Sequence, residues 1–384
     1  MTAQMVSKTV KITARKMIGA GVGALIGMGL GIVSTRLFVH TIRGSMHGLH
    51  GITRGQATAQ LLIAMGLAVF VSLVVHELGH LIGGQIVGFR LYLFTAGPLR
   101  IDRAEDDRLK ISFNKELPSY GGMCGSIPLD DADILNRFAF SIVCGPVASL
   151  ILSFLAFAGA MAPFVSNGLP RFEMQMLAAT SLMIGIFTII PMPNGAFLTD
   201  GARWLRLKRG GPLAERDEAL LRLYSYLNSG KAPSLWSEEL IARTLAVSDE
   251  SMFEAAGLYF SYRNLLDTKR VPQAGEHLKR AYQMAVEKYR PMAVNYMIEL
   301  AWFEAWHNNN PAAAQALLKE AGTAANQRRY NWDRKRAQAA IAIRTGDVEV
   351  ARQLIDDVGA KLPTSQAVLH SKAQWEEMQQ QLSQ

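Results

Sequence analysis

His76 and His80 stand four residues apart in the string His76-Glu77-Leu78-Gly79-His80. On a helix that spacing puts both imidazoles on one face, a turn apart, where both can reach a single metal ion. Glu77 sits beside them and can take a proton from a metal-bound water, whose pKa a Zn²⁺ ion lowers toward about 7. A catalytic zinc usually has three protein ligands and one open position. The third ligand must come from elsewhere in the chain. Asp200 is the candidate, at the end of Pro191-Met192-Pro193-Asn194-Gly195-Ala196-Phe197-Leu198-Thr199-Asp200-Gly201. The two prolines break a helix there and let Asp200 turn inward. The expected centre is therefore Zn²⁺ held by His76, His80 and Asp200, with Glu77 as general base. His40, His47 and His50 fall in a separate loop and read as solvated side chains, not as a second metal site.

The elements that must carry these residues are apolar. Hydrophobic residues make up 49% of the 384-residue chain and charged residues 19%, against about 25% charged in soluble domains. Four stretches are long enough to cross a bilayer core, which takes roughly 20 residues. The first, Met17 to Val39, carries Gly19, Gly23, Gly27 and Gly31 at a spacing of four, a smooth strip for helix packing. It follows the basic stretch Lys8–Lys16 and reads as a retained span, because no small-residue cleavage site follows it. The second, Ala57 to Gly84, contains the His-Glu string. The third, Ile134 to Val165, is interrupted by Pro146. The fourth, Met174 to Leu198, is broken by Pro191 and Pro193. Three ionisable residues inside an apolar span are costly and mark a functional site.

The charge distribution sets an orientation. Residues 1–212 hold 19 Lys/Arg and 11 Asp/Glu, whereas residues 213–384 hold 21 of each. With the N-terminus inside, the inner segments of the membrane half carry 15 basic residues and the outer segments 4. That is the bias expected of cytoplasmic loops. The basic excess is thus a topology signal, with the lipid bilayer as partner, and no nucleic acid is expected. His76 and Asp200 both fall toward the inner ends of their spans. Between spans two and three, Phe89–Leu93 and Leu109–Phe113 alternate as strands do, so a small β-ribbon is expected at the inner face. Cys124 and Cys144 form no CxxC pair and suggest neither a disulfide framework nor a thiolate metal site.

After Pro212 the sequence reads as consecutive amphipathic helices, with Leu220, Tyr224 and Leu227 on one face. Gly275, Ala314 and Ala351 each precede a leucine by three residues, at Leu278, Leu317 and Leu354. The intervals approach the 34-residue period of tetratricopeptide helix pairs. The expected fold is mainly α: a polytopic membrane helix bundle of about four spans with a small β-ribbon, followed by a soluble tetratricopeptide-like helical domain. The expected parts are residues 1–56 (first span and outer loop), 57–212 (metal-binding core) and 213–384 (helical domain). Both termini are expected to be cytoplasmic.

Over residues 57–209 these motifs resemble the site-2 protease family of intramembrane metalloproteases. The His-Glu string, the Gly-Gly turn in Tyr120-Gly121-Gly122-Met123, the Gly-Pro helix Cys144-Gly145-Pro146-Val147-Ala148-Ser149 and the final Asp200-Gly201 come in the family's order. The chain departs at Ser149, where the family commonly has Asn, and at Thr199, where Leu usually precedes Asp-Gly. The resemblance implies a zinc metalloendopeptidase in the cell membrane. It implies as substrate a membrane protein or peptide, cut in or near a spanning segment, as in regulated membrane proteolysis. A protein partner of the C-terminal helices is expected beside the substrate. Two other readings fit the motifs: an inactive membrane-anchored scaffold that binds partners through its helical repeats, and metal transport, which the scarcity of ionisable residues in the other spans disfavours.

Overall fold

The computed structural model describes residues 54–103, 108–115, 119–166, 168–194, 197–290, 293–326, 330–359 and 369–382. The expected span at Met17–Val39 and His40, His47 and His50 lie outside the described residues. Within them the chain is mostly helical and divides into two compact units. One comprises residues 54–75 with Ser149–Gly185; the other comprises His76–Ala148 with residues 186–382.

Among the described residues three helices are long and apolar enough to cross a membrane: α1 (Arg54–Ile86), α2 (Ile134–Met161) and α3 (Leu169–Ile189). Their apolar stretches have mean hydropathies of 2.3, 2.2 and 1.5. Many of their large side chains, Ile63, Phe154, Leu155 and Phe157 among them, are exposed. In water such a belt would be an aggregation liability; in lipid it needs no cover. Pro146 does not interrupt α2, which runs through it as one helix, although the expectation placed a break there. The fourth expected span ends earlier than expected, at Ile189, before the two prolines.

In the first unit the spans meet through small and polar side chains. Leu61, Ala64 and Ala68 of α1 pack on Phe172 and Met176 of α3. The Ser72 hydroxyl lies 2.8 Å from those of both Thr180 and Ser181, and Ser153 donates to the Ala178 carbonyl at 2.8 Å. Hydroxyls that bond across helices in this way replace the water that hydrocarbon lacks.

In the second unit the expected ribbon is a four-stranded antiparallel sheet of β1 (Phe89–Ala96), β2 (Leu99–Arg103), β3 (Leu109–Phe113) and β4 (Met123–Pro128), in the order β3-β2-β1-β4. The alternation in the sequence marked only its first and third strands. β4, with Gly125 and Ser126, carries no strand-like pattern and is ordered by pairing with β1. A two-stranded hairpin, β5 (Pro193–Asn194) and β6 (Phe197–Leu198), leads into α4 (Asp200–Arg209). Gly210 and Gly211, both at positive φ, then turn the chain into α5 (Pro212–Asn228).

The remaining helices are α6 (Glu238–Leu245), α7 (Met252–Asp267), α8 (Val271–Tyr289), α9 (Val294–Trp306), α10 (Pro311–Ala321), α11 (Asn331–Thr345), α12 (Val348–Gly359) and α13 (Leu369–Leu382). Antiparallel neighbours pair as α7/α8, α9/α10 and α11/α12. Each pair turns at a left-handed residue, Lys269, Asn309 and Gly346 in succession. Amide bonds reach back over each turn, as from Arg270 to the Leu265 carbonyl and from Asp347 to that of Ala342. The recurring small residues fall on the second helix of each pair. Ala314 and Ala351 are fully buried, and a Cβ at Gly275 would press into the Phe303 ring. The small residues of the weak sequence repeat are thus packed positions on the second helix of each pair.

A buried ion pair ties the first helices of these pairs together. Glu299 of α9 accepts from Tyr262 of α7 at 2.7 Å and from Arg336 of α11 at 2.6 Å. Arg336 also donates to Gln374 of α13 and lies 4.6 Å from the Trp302 ring centroid. Removing one partner from such a pair leaves an uncompensated buried charge. Arg336→Ala should therefore lower stability by about 3–5 kcal/mol, read by denaturant titration with the adjacent Trp302 as fluorescence reporter.

Candidate metal centre

The two histidines are placed by the way α1 crosses α2. A Cβ at Gly79 would run into the Cys144 backbone and lie 2.7 Å from the Ala148 Cβ; one at Gly83 would lie 2.7 Å from the Cys144 Cβ. These two glycines, four apart, let the backbones approach closely, as small residues do in membrane helix pairs. The approach brings Ser141 to His80. The Ser141 hydroxyl donates to the His80 carbonyl at 3.0 Å, and His80 Nδ1 lies 3.0 Å from the Ser141 carbonyl. A carbonyl only accepts, so Nδ1 carries the proton. In its neutral form the ring then presents a lone pair at Nε2, the form a metal ligand needs. Gly145 gives this ring its room, because a Cβ there would fall on the imidazole.

Asp200 arrives from the other side through the hairpin that follows α3. Thr199 controls that arrival. Its hydroxyl donates to the Ile190 carbonyl at 2.7 Å, accepts from the Met192 amide at 3.0 Å, and caps α4 by accepting from the Ala202 amide. The residue that departs from the family pattern thus pins the hairpin to the end of α3 and starts the helix at Asp200. Gly201 follows because no side chain fits: a Cβ there would collide with the Ile189 carbonyl.

The three side chains converge. His76 Nε2 is 3.2 Å from Asp200 Oδ2, His80 Nε2 is 3.5 Å from Asp200 Oδ1, and the two Nε2 atoms are 3.3 Å apart. Among the described residues these three form a group able to hold a metal ion. The separations match the edge of a tetrahedron built on Zn–N and Zn–O bonds of about 2.0–2.1 Å, roughly 3.3 Å. The donor chemistry agrees. With its proton on Nδ1, neutral His80 turns a lone pair toward a carboxylate that is also an acceptor, and a cation among them resolves that conflict.

Glu77 is buried beside this group and outside it. Gly122, at φ +97°, packs on its carboxylate so closely that a Cβ would overlap it. The sheet sets that contact. Buried Asn114 donates to the Gly97 carbonyl at 2.9 Å and bonds the Ser119 hydroxyl. Thr95 donates to the Ser119 carbonyl at 3.1 Å, and the Gly97 amide to that of Tyr120 at 3.0 Å. The turn at 119–122 is thereby fixed to β1 and held over Glu77.

All four expected site residues thus meet, and the Gly-Gly turn and Gly-Pro helix each touch one of them. The sequence reading missed Gly79, Gly83, Ser141 and Asn114. The glycines had a legible signal, a Gly-xxx-Gly spacing overlapping the His-Glu string. The Ser141 carbonyl and the Asn114 side chain had none. Burial pushes the Cys124 thiol up to about 12, which keeps it protonated near neutral pH. No protein-family model, curated protein or solved structure matches the chain.

Gly145→Ala should force the His80 ring aside. Metal affinity, measured by chelator competition, should fall about tenfold or more, the usual scale for losing outer support of a ligand. Gly66→Ala, also on a spanning helix but with open space around it, should leave affinity unchanged.

Proposed function

We propose that this protein is an intramembrane zinc metalloendopeptidase of the site-2 protease kind, which hydrolyses peptide bonds in or near transmembrane segments. The observation that carries the reading is the meeting of His76, His80 and Asp200, with Glu77 alongside, on helices apolar enough to lie in a membrane. A purely structural metal site would have no use for a buried carboxylate beside the ligands and outside their number.

In this reading His76, His80 and Asp200 hold Zn²⁺. Bound zinc supplies Lewis acidity, which makes a water acidic enough to ionise near neutral pH and polarises a carbonyl. Glu77 takes the proton from the attacking water and returns it to the leaving amine. Gly122 leaves the Glu77 carboxylate the space to do so. A substrate helix has its peptide bonds committed to internal hydrogen bonds and must unwind before it can be cut. The unwound stretch can add to the sheet as a further strand. β3 is an edge strand of that sheet, and its Leu109, Ile111 and Phe113 are exposed.

We read the three helix pairs as a tetratricopeptide-like array that binds a protein partner, on the cytoplasmic side. The basic residues concentrated in the expected inner segments support that orientation. A reporter fused after Gln384 should then read as cytoplasmic, and an external reading would overturn the topology.

Glu77→Gln keeps the shape of the side chain and removes the base. Cleavage of a membrane-embedded substrate should fall by about 10²–10⁴-fold while zinc content stays at the wild-type level. Asp200→Ala should lose zinc and cleavage together. Wild-type cleavage by Glu77→Gln would refute the mechanism. Full zinc content with no cleavage of any membrane substrate by the native protein would favour the scaffold.

A further inference from the structure

Helix α4 begins at Asp200 and has only ten residues, so whatever grips its middle also sets its first residue. Arg203 and Arg206 stand one and two turns further along the same side of the helix. The Arg203 guanidinium carbon lies 4.6 Å from the ring centroid of Phe138 on α2 and 5.8 Å from that of Phe253 on α7. Arg206 approaches the Phe253 ring at 5.4 Å and Arg216 of α5 at 5.6 Å. Three guanidiniums thus surround one aromatic ring at the start of the helical region.

Three cations so close repel one another, and two carboxylates offset the repulsion. Both carboxylate oxygens of buried Asp217 lie 3.4 Å from Arg206 Nη1. Fully buried Arg216 donates to both oxygens of Asp249, at 3.0 and 2.9 Å. Among the described residues Arg203 has no such pair. Its Nε is buried without a hydrogen-bond partner among the described residues; its guanidinium lies on the two aromatic faces, with the charges of Asp217 and Asp200 acting on it. Phe253 in turn packs against the core formed by Leu220, Leu223, Leu240, Ile241 and Phe260. A continuous line of contact runs from that core through Phe253 to Arg203, and along one rigid turn of α4, about 4.5 Å, to Asp200.

We propose that Phe253 is a positioning residue for the metal centre: by holding Arg203 and Arg206 it sets α4, and with it the Asp200 carboxylate, so that metal affinity depends on the helical region. The proposal rests on the reading of His76, His80 and Asp200 as metal ligands. A metal site tolerates displacements of only a few tenths of an ångström in its ligands, so a short helix carrying one of them needs a firm outer hold.

The test uses the full-length protein in detergent. Zinc affinity is measured by chelator competition, and ligand geometry by the visible spectrum of the Co²⁺-substituted protein. Phe253→Ala should weaken zinc binding by about tenfold or more and change the Co²⁺ band. Phe253→Tyr, which keeps the ring face, should restore both. Met378→Ala opens a comparable gap at a fully buried site on α13, far along the helical region, and should leave both at wild-type values. Wild-type affinity and spectrum in Phe253→Ala would overturn the proposal while leaving the metal site intact. An equal loss in Met378→Ala would overturn it in favour of general loosening of the helices. If Asp200→Ala binds zinc as tightly as the wild type, the ligand assignment itself fails and the proposal falls with it.

Discussion

Two imidazoles and a carboxylate, brought within about 3.5 Å of one another on helices with the length and apolarity to span a membrane, form an arrangement that an apolar layer opposes. His76 is buried and His80 and Asp200 are largely so, and their donor atoms converge on one small volume, where a cation would receive them. Left to themselves the rings would rotate away and the carboxylate would seek water. Much of the second unit can be understood as the means of preventing that. The Ser141 carbonyl holds the His80 proton on Nδ1, and the Thr199 hydroxyl fixes the approach of Asp200. Each constraint aims a donor atom at the same small volume.

Absence of side chains matters as much as their presence. Gly79 and Gly83 let α1 reach α2, Gly145 leaves space for the His80 ring, Gly201 lets α4 pass the end of α3, and Gly122 sits on the Glu77 carboxylate. Each of these positions would place a Cβ on a backbone atom, the Cys144 side chain, the His80 ring or the Glu77 carboxylate. The centre is thus enclosed by backbone, which moves less than side chains and contributes fixed dipoles. Such an environment suits chemistry that depends on a few groups held still.

The helical region is joined to this centre by short links. α4 carries Asp200 at one end, and its arginines lie against Phe253 of α7 and pair with Asp217 of α5. Further along, the buried Glu299–Arg336 pair connects α7, α9, α11 and α13 across their cores. A buried ion pair contributes modest stability but strong discrimination against misregistered packing. The paired helices are thereby linked to one another, and α7 through Phe253 to the helix bearing Asp200.

The sequence by itself marked the candidate metal-binding group: the four-residue histidine spacing, the neighbouring glutamate, the later Asp-Gly after prolines, and the apolar runs that carry them are all local patterns. It also marked the second helix of each pair, through a packed small residue that recurs with a leucine three positions later. Tertiary structure decided the rest. The extent of the sheet was not legible, since β4 has no alternation and exists through pairing with β1. The ends of the spans shifted because Thr199 and the β5–β6 hairpin, not the prolines alone, stop the chain after Ile189. Pro146 reads as a break, but α2 runs through it unbroken. The roles of Ser141, Asn114 and Phe253 lie in contacts between residues far apart in sequence. Spacing along one chain carries no record of such contacts; only the packing of distant segments creates them.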